Sequence, residues 1–589
     1  MKIKKLFTEI VHRFSVSFKR FPVPMFFAAA TVVLLIILNR TDYHQTELME
    51  DLGRMAMATA MGFPMSLIVK VYWERKENRQ LMYEVIGYGV VAGLVSLAYF
   101  FLLDKLDMVQ GTRYTAYMLT LFLVFLLVPY RKEQEGFEAY VVKLFTSFFT
   151  TYLYSLILFG GLSLIVGAID LLFEANINSD IYLDMFTIVA GFVAPAVFLA
   201  EVPTSREEMH EYAYSKVLKV LMLYIVLPLI VAYTSILYAY LIRLLLTREW
   251  TPYMVSHLVV WYGIVTAIAI FLTVPLREDH GWARTFSRFM PFAVAVPFAI
   301  MFTAIGIRIR AYGITEPRYF VVVTGIWLVL AMVHYVVFRK QAKHWLVLTL
   351  LAAIAFLSVT GPWSAYSMSQ WSQAERFDRL LAEHQLINDR GELQPNANVP
   401  EEAQKTISSI VNYYERFHNV EDLTGMPEDF RMTDMEQVFG FAAIYDWGVP
   451  WEGNEYFYLG SKQDSMAISV EGYQYYVFVT GYFGRQPWDE EDQREGYSAR
   501  FNHERRELEI YDNDTLLYSK PISEMVMPIV DRVGMHNQDP INREELIYYD
   551  ETNEMKVMAV FRYINGYINR NNDRPEIEGL EMDLYFTVK

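Results

Sequence analysis

The chain contains no cysteine, which excludes disulfides, thiolate metal sites and a cysteine nucleophile but says nothing about redox compartment. It also lacks the short motifs that would announce a reaction: no Walker loop, Rossmann fingerprint, zinc spacing or internal repeat is present. Ser408, Ser409, His418 and Asp422 include the residue types of a hydrolase triad, yet no strand-to-helix elbow surrounds a serine. Asp489 to Asp492 and Asp512-x-Asp514 are acidic without the spacing of a calcium loop, so they read as solvated turns. No catalytic residue, cofactor or metal is expected. The last shortage is of long apolar runs after residue 361, in contrast with what precedes it.

What is present divides the chain in two. Its 589 residues are 54% hydrophobic and 20% charged, too apolar for an ordinary soluble protein and too charged for a purely membrane one. Residues 362–589 hold 42 acidic and 20 basic residues, whereas residues 1–361 hold 25 and 31, so the formal −16 averages a net −22 and a net +6. A C-terminal part this acidic repels phosphates, which argues against nucleic acid as a partner.

Runs of about 17 to 25 mostly apolar residues suit a bilayer span. Eleven are predicted, near 21–38, 55–72, 85–103, 114–129, 146–170, 184–200, 219–241, 255–275, 289–307, 319–338 and 345–361. The first is long for a signal peptide and is followed by Asn39-Arg-Thr-Asp rather than small residues, so it reads as a retained helix. Basic residues number six before the first span and 4, 3, 3, 3 and 3 in the even connections, against 2, 2, 0, 2 and 3 in the odd ones. That bias puts the N-terminus in the cytoplasm, and an odd span count puts residues 362–589 outside. Pro64, Pro195, Pro228, Pro291 and Pro297 fall within spans and Gly160-Gly161 is a plausible kink, features of transporters but also of membrane helices generally.

Charge at membrane depth is the sharpest pointer to function because it is costly. Lys70, Glu201 and Arg243 lie near span ends, within snorkelling reach of water. Asp170 is the deepest acid, with Asp184 at the start of the next span. Asp170 either pairs with Arg243, Arg308 or Arg310 or binds a proton or cation. His257 and His334 read as hydrogen-bonded core imidazoles.

Several segments in fixed order carry a resemblance: Tyr238 to Trp250, Val274-Pro-Leu-Arg277-Glu, Trp282 to Arg288, Ile305-Gly-Ile-Arg308 through Tyr312-Gly-Ile-Thr-Glu316-Pro-Arg318-Tyr319, and Gly361-Pro-Trp-Ser-Ala-Tyr-Ser-Met-Ser-Gln370. Over roughly 215–420 the chain resembles an uncharacterised family of polytopic bacterial membrane proteins, domain of unknown function 4153. The resemblance implies a bacterial inner-membrane protein with an extracytoplasmic tail. It carries no activity and transfers no catalytic residue. Read physically, Gly313 permits a turn and Thr315-Glu316-Pro317 a helix start, with Thr315 capping. Arg308, Arg310 and Arg318 then cluster beside Tyr312 at a helix N-terminus, which suits an anion. The competing expectation, favoured on the sequence, is a structural clamp in which these arginines pair with Glu316, Asp170 or the acidic outer part.

Residues 362–453 read as a helical connection. One amphipathic helix carries Trp371, Ala374, Phe377, Leu380 and Leu381, and a second, from Pro400, carries Ile407, Ile410, Val411, Tyr414 and Phe417. From 454 to 589 the apolar period falls to two, with strands over 473–482, 508–511, 516–518, 546–549, 556–564 and 580–588, giving a mostly antiparallel sheet behind two or three helices. Its tyrosines, with Trp447, Trp451 and Trp488, form either a glycan- or peptide-binding face or core. The fold expected is thus a membrane all-α bundle, residues 1–361, followed by a soluble α+β domain. The function expected is non-enzymatic sensing, binding or scaffolding of an envelope protein or glycan. A secondary transporter and an envelope lipid or glycan transferase using Arg308, Arg310 and Glu316 are the alternatives.

Overall fold

The computed structural model describes all residues except 1–12, 42–45, 77–80, 105–106, 130–136, 174, 176, 204–213, 248–251, 339–342, 389, 428–429, 445–453, 463–467, 483–495, 503–505, 514, 534–540, 553 and 570–573. Trp447, Trp451, Trp488, the run Asp489 to Asp492, Asp514 and parts of the basic connections therefore lie outside the described residues. The chain forms two units, residues 1–393 with 413–430 and residues 394–412 with 431–589.

Apolar composition makes the first unit helical, since hydrocarbon leaves backbone N–H and C=O groups no partner but each other. Its principal helices are α1 Pro22–Arg40, α2 Glu47–Glu74, α3 Leu81–Leu102, α4 Met108–Leu127, α5 Phe137–Phe173, α6 Asp180–Ala200, α7 Lys216–Arg243, α8 Ser256–Leu272, α9 Gly281–Tyr312, α10 Glu316–Val337 and α11 Trp345–Leu357. Eight of them, all but α4, α8 and α11, are long and apolar enough to cross a membrane. The expected count of eleven is thus not reached among the described residues. Helices α8 and α11 are apolar but short, and α4 opens on the polar stretch Gln110-Gly-Thr-Arg113.

Pro195 and Pro228 do not break their helices, whereas α9 is interrupted at Val294, between Pro291 and Pro297, and the Ala293 carbonyl four residues before Pro297 accepts the Tyr238 hydroxyl. π-Turns at Val189–Val193 and Leu221–Val226 sit immediately before Pro195 and Pro228. Each proline lacks an N–H and crowds the carbonyl four residues back, and a wider turn relieves both. Helix α5 continues as one α-helix through Gly160-Gly161, so the chain is not interrupted at the glycines. Phe298 and Met301 of α9, Leu328 of α10 and Val259 of α8 share one buried core. At Gly325 of α10 an added Cβ would stand 2.6 Å from Met301 Cε and 2.9 Å from Phe302 Cζ, so a larger residue would require these side chains to shift.

Several charges inside the unit are paired. Lys70 Nζ of α2 lies 3.1 Å from Glu84 Oε1 of α3, with both side chains under a tenth exposed. Lys70 therefore does not snorkel, and Glu84 was not singled out in the sequence. Arg20 holds Glu74 through three N–H···O contacts of 3.0 to 3.3 Å. Arg13 lies 2.7 Å from Glu201. At the far end of α1, Asn39 Nδ2 and Arg40 Nε donate to the Asp184 carboxylate of α6 at 3.0 and 2.9 Å.

The second unit joins two antiparallel sheets. Strands β1 Asn454–Gly460, β2 Tyr475–Tyr482, β3 Tyr497–Asn502, β4 Glu507–Asp512, β5 Thr515–Pro521, β6 Ile547–Glu551, β7 Met555–Asn569 and β8 Arg574–Val588 form a five-stranded sheet, β1-β7-β8-β2 with β6 also on β7, and a three-stranded sheet, β3-β4-β5. Period-two alternation sends Val557, Ala559 and Phe561 of β7 and Met582, Leu584 and Phe586 of β8 into one core. A helix, Ile522–Val533, adds Met525, Val526 and Ile529. The helices expected ahead of the sheet, Ala365–Glu383 and Glu401–Phe417, do precede it, and Ile522–Val533, between β5 and β6, is an additional one that Pro521 and Pro528 disguise in a strongly amphipathic stretch.

Removing one member of a buried ion pair strands a charge, at about 3–5 kcal/mol. Lys70→Met or Glu84→Gln alone is expected to lower the melting temperature of the detergent-solubilised protein, and Lys70→Met with Glu84→Met to restore most of it.

Candidate functional site

The turn joining α9 to α10 is built to be held. Gly313 adopts φ +72°, and a Cβ there would meet Gln373 Nε2 at 2.7 Å. The partner is helix α12, Ala365–Glu383, which starts where the Ser364 hydroxyl accepts the Ser367 N–H. Its expected apolar stripe is displaced: Trp371 is 60% exposed, and the buried face carries Tyr366, Ser369, Gln373, Phe377 and Leu381. The reason is polar. Gln373 Nε2 donates to the carbonyls of Tyr312 and Ile314 at 3.1 and 2.9 Å, while the Ile314 N–H donates to Ser372 Oγ at 2.9 Å. Thr315 occupies the N-cap of α10 but its hydroxyl makes no cap, so that expectation fails; Pro317 does sit in the first turn.

Glu316 faces away from the arginines. Helix α13, Glu401–Phe417, presents Tyr413 on its last turn, and the phenol donates to Glu316 Oε1 at 2.5 Å. His418 Nε2 lies 2.8 Å from the same phenol oxygen and 3.6 Å from Glu316. A phenol has one proton to give, so His418 donates from Nε2. Burial, reinforced by the hydrogen bond to Glu316 and by its charge, holds Tyr413 above the usual tyrosine range and keeps it a donor. Tyr414 Oη donates to the Gln370 carbonyl at 2.7 Å and Gln370 Nε2 to Asp422 Oδ2 at 2.8 Å. His418 and Asp422 are thereby engaged locally, and Ser408 Oγ accepts the Ile444 N–H.

The arginines are arranged differently from the clamp expected. Arg318 Nη1 donates to the carbonyls of Tyr312 and Gly313 at 3.1 and 2.7 Å, and its guanidinium stands 5.5 Å from the Tyr312 ring. Arg308 and Arg376 both lie close enough to repel it. Arg310 and Arg243 are exposed. Asp170 Oδ1 accepts the Ile177 N–H at 2.8 Å, and among the described residues no arginine ion pair to Asp170 is formed. The structure therefore brings together Tyr312, Arg318, Arg308 and, close by, Glu316, and leaves Asp170 and Arg243 elsewhere. Tyr413, His418, Gln373 and Arg376 were missed, since nothing local marks residues whose partners lie on other helices.

A second candidate surface is the outer face of the five-stranded sheet. Tyr476 and Phe478 of β2 alternate with inward Val477 and Val479 and are exposed, as are Tyr458 and Tyr549. At its centre Asp583, 4% exposed, accepts from Arg562 at 3.0 and 2.8 Å and from Tyr476 Oη at 2.9 Å. Burial would raise the Asp583 carboxyl, but these hydrogen bonds outweigh it and hold the group below the usual carboxylate range. The Arg562 guanidinium lies 4.7 Å from the Phe478 ring centre.

Tyr413→Phe and Glu316→Gln are each expected to cost about 1–3 kcal/mol by leaving a buried partner unsatisfied. The double variant should cost clearly less than their sum, a coupling read from denaturation of the intact chain.

Comparison with known proteins agrees with this architecture. An uncharacterised protein of Pasteurella multocida strain Pm70 is 23% identical over 437 residues, 71% of this chain and 73% of that one. No solved structure matches. The profile of the family described as Domain of unknown function (DUF4153) matches residues 25–390, further toward the N-terminus than the motifs that suggested it and stopping short of the sheet unit. The match takes in most of the helical unit, including the arginine turn, and the chain belongs to the DUF4153 family of unknown function.

Proposed function

We propose that this chain is a non-enzymatic, multi-pass protein of the bacterial inner membrane that holds its acidic C-terminal unit on the extracytoplasmic side to bind an envelope protein or glycan. The observation that carries the reading is the sheet face of Tyr458, Tyr476, Phe478 and Tyr549 around the Arg562–Asp583 pair. A solvated sheet face is ordinarily polar, whereas exposed rings beside a fixed hydrogen-bonding pair suit stacking against a sugar or a peptide. The net −22 of residues 362–589 favours a neutral or basic partner.

The bias of basic residues toward alternate connections supports a cytoplasmic N-terminus. The extracytoplasmic placement of residue 589 needs an odd number of crossings, so that one or all three of α4, α8 and α11 cross along with the eight longer helices. Support for transport is thinner. Several of its motivating features have local explanations: π-turns accommodate Pro195 and Pro228, Gly160-Gly161 lies within a continuous helix, and Asp170 accepts a nearby backbone N–H. A transferase would need Glu316 available, and Tyr413 and His418 occupy it.

Tyr476→Ala with Phe478→Ala is expected to weaken binding of the full-length protein to soluble peptidoglycan fragments, or its crosslinking to an envelope protein, by about tenfold or more, as loss of aromatic anchors does. Unchanged retention of both partner classes by the double variant, measured by calorimetry and crosslinking, would refute this assignment of the face.

A further inference from the structure

The arginines around the α9–α10 turn present a problem of charge. Arg318 of α10 and Arg376 of α12 are half-buried, and among the described residues neither makes an ion pair with a carboxylate. Arg318 is bonded to two carbonyl oxygens, which position the guanidinium without neutralising it. Arg308, one turn before Tyr312, adds its field to that of Arg376 at Arg318. Burial and then the neighbouring Arg379 weaken the hold of Arg376 on its proton, so no carboxylate among the described residues offsets the charge of Arg318 or Arg376. Glu316, the carboxylate nearest Arg318 in the sequence, is spent on Tyr413 and His418.

Like charges partly withdrawn from water repel unless something anionic joins them. The Tyr312 ring under Arg318 and the two carbonyls fix a planar donor whose remaining N–H groups are available, a geometry that matches the oxygens of phosphate. The surroundings indicate depth. Exposed Trp363, Trp371 and Tyr312 ring this end of the helices, and Tyr319 Oη donates to the Trp363 carbonyl at 2.7 Å. Tryptophan and tyrosine gather at the headgroup level of a bilayer.

We propose that Arg318 and Arg376, with the Tyr312 ring and the added field of Arg308, form a binding site for a phosphate-bearing anion at the membrane face. Its chemistry is that of a phosphodiester or phosphomonoester, which a lipid headgroup or a soluble phosphate can supply. The site lies in the stretch matched by the family and is independent of the aromatic sheet face.

The test uses the full chain in nanodiscs and counts retained lipid by native mass spectrometry, comparing phosphatidylglycerol with phosphatidylcholine discs. A parallel arm titrates glycerol phosphate and inorganic phosphate into the phosphatidylcholine sample and reads the melting temperature. Arg376→Gln is expected to weaken phosphatidylglycerol retention about fivefold, the share of one cation near an anionic surface. Arg376→Lys should keep most of it, and Arg243→Gln, an exposed arginine at another helix end, should change nothing. Stabilisation by soluble phosphate that Arg376→Gln abolishes would assign the site to a free anion, and retention of phosphatidylglycerol alone would assign it to a lipid. If Arg376→Gln and Arg243→Gln behave alike in both arms, or if neither phosphate source is preferred by the unmodified protein, the site does not exist. Should Arg376→Gln fail to fold, Arg308→Gln is read in the same two arms, with loss of preference expected and wild-type retention contradicting the proposal.

Discussion

An unneutralised charge in hydrocarbon is expensive, and that constraint organises the helical unit. Lys70 reaches Glu84, Arg20 reaches Glu74 and Arg40 reaches Asp184, each bond tying together two helices that apolar packing alone would let slide. The α9–α10 turn differs, because among the described residues Arg318 and Arg376 form no ion pair with a carboxylate while the one acid of the motif turns toward Tyr413.

Most of the architecture was legible because it is written in composition and period. Twenty apolar residues in a row have few alternatives to a helix in lipid, and Val557, Ala559 and Phe561 alternate so regularly that a strand with one buried face follows. The number of crossings was less legible. Apolar run length fixes neither where a helix begins nor whether Gln110 to Arg113 at the head of α4 enters the bilayer. The helix Ile522–Val533 escaped notice because proline suggests a break, although a proline near a helix start or on an exposed side is tolerated.

The site was half legible. Gly313, Glu316 and Arg318 stood out as an unusual string of a turn former, an acid and cations beside a membrane span, but the string could not disclose its partners. Tyr413 lies 97 residues from Glu316, and Gln373 looks like any polar residue until its amide is seen bridging two carbonyls of the turn. The clamp expected between arginine and carboxylate is realised instead by a tyrosine, a histidine and a glutamine. In Tyr413 and Gln373 packing chose neutral donors that carry a smaller desolvation cost than a guanidinium would.

The central claim is that greasy helices carry an acidic sheet unit across the bilayer, and the absence of cysteine makes it directly measurable. Glu554 and Lys343 are both exposed, so Glu554→Cys and Lys343→Cys would each introduce a single thiol. A membrane-impermeant maleimide added to intact spheroplasts should label Glu554→Cys at once and Lys343→Cys only after permeabilisation. Labelling of Lys343→Cys with protection of Glu554→Cys, or protection of both until the membrane is opened, would contradict the account.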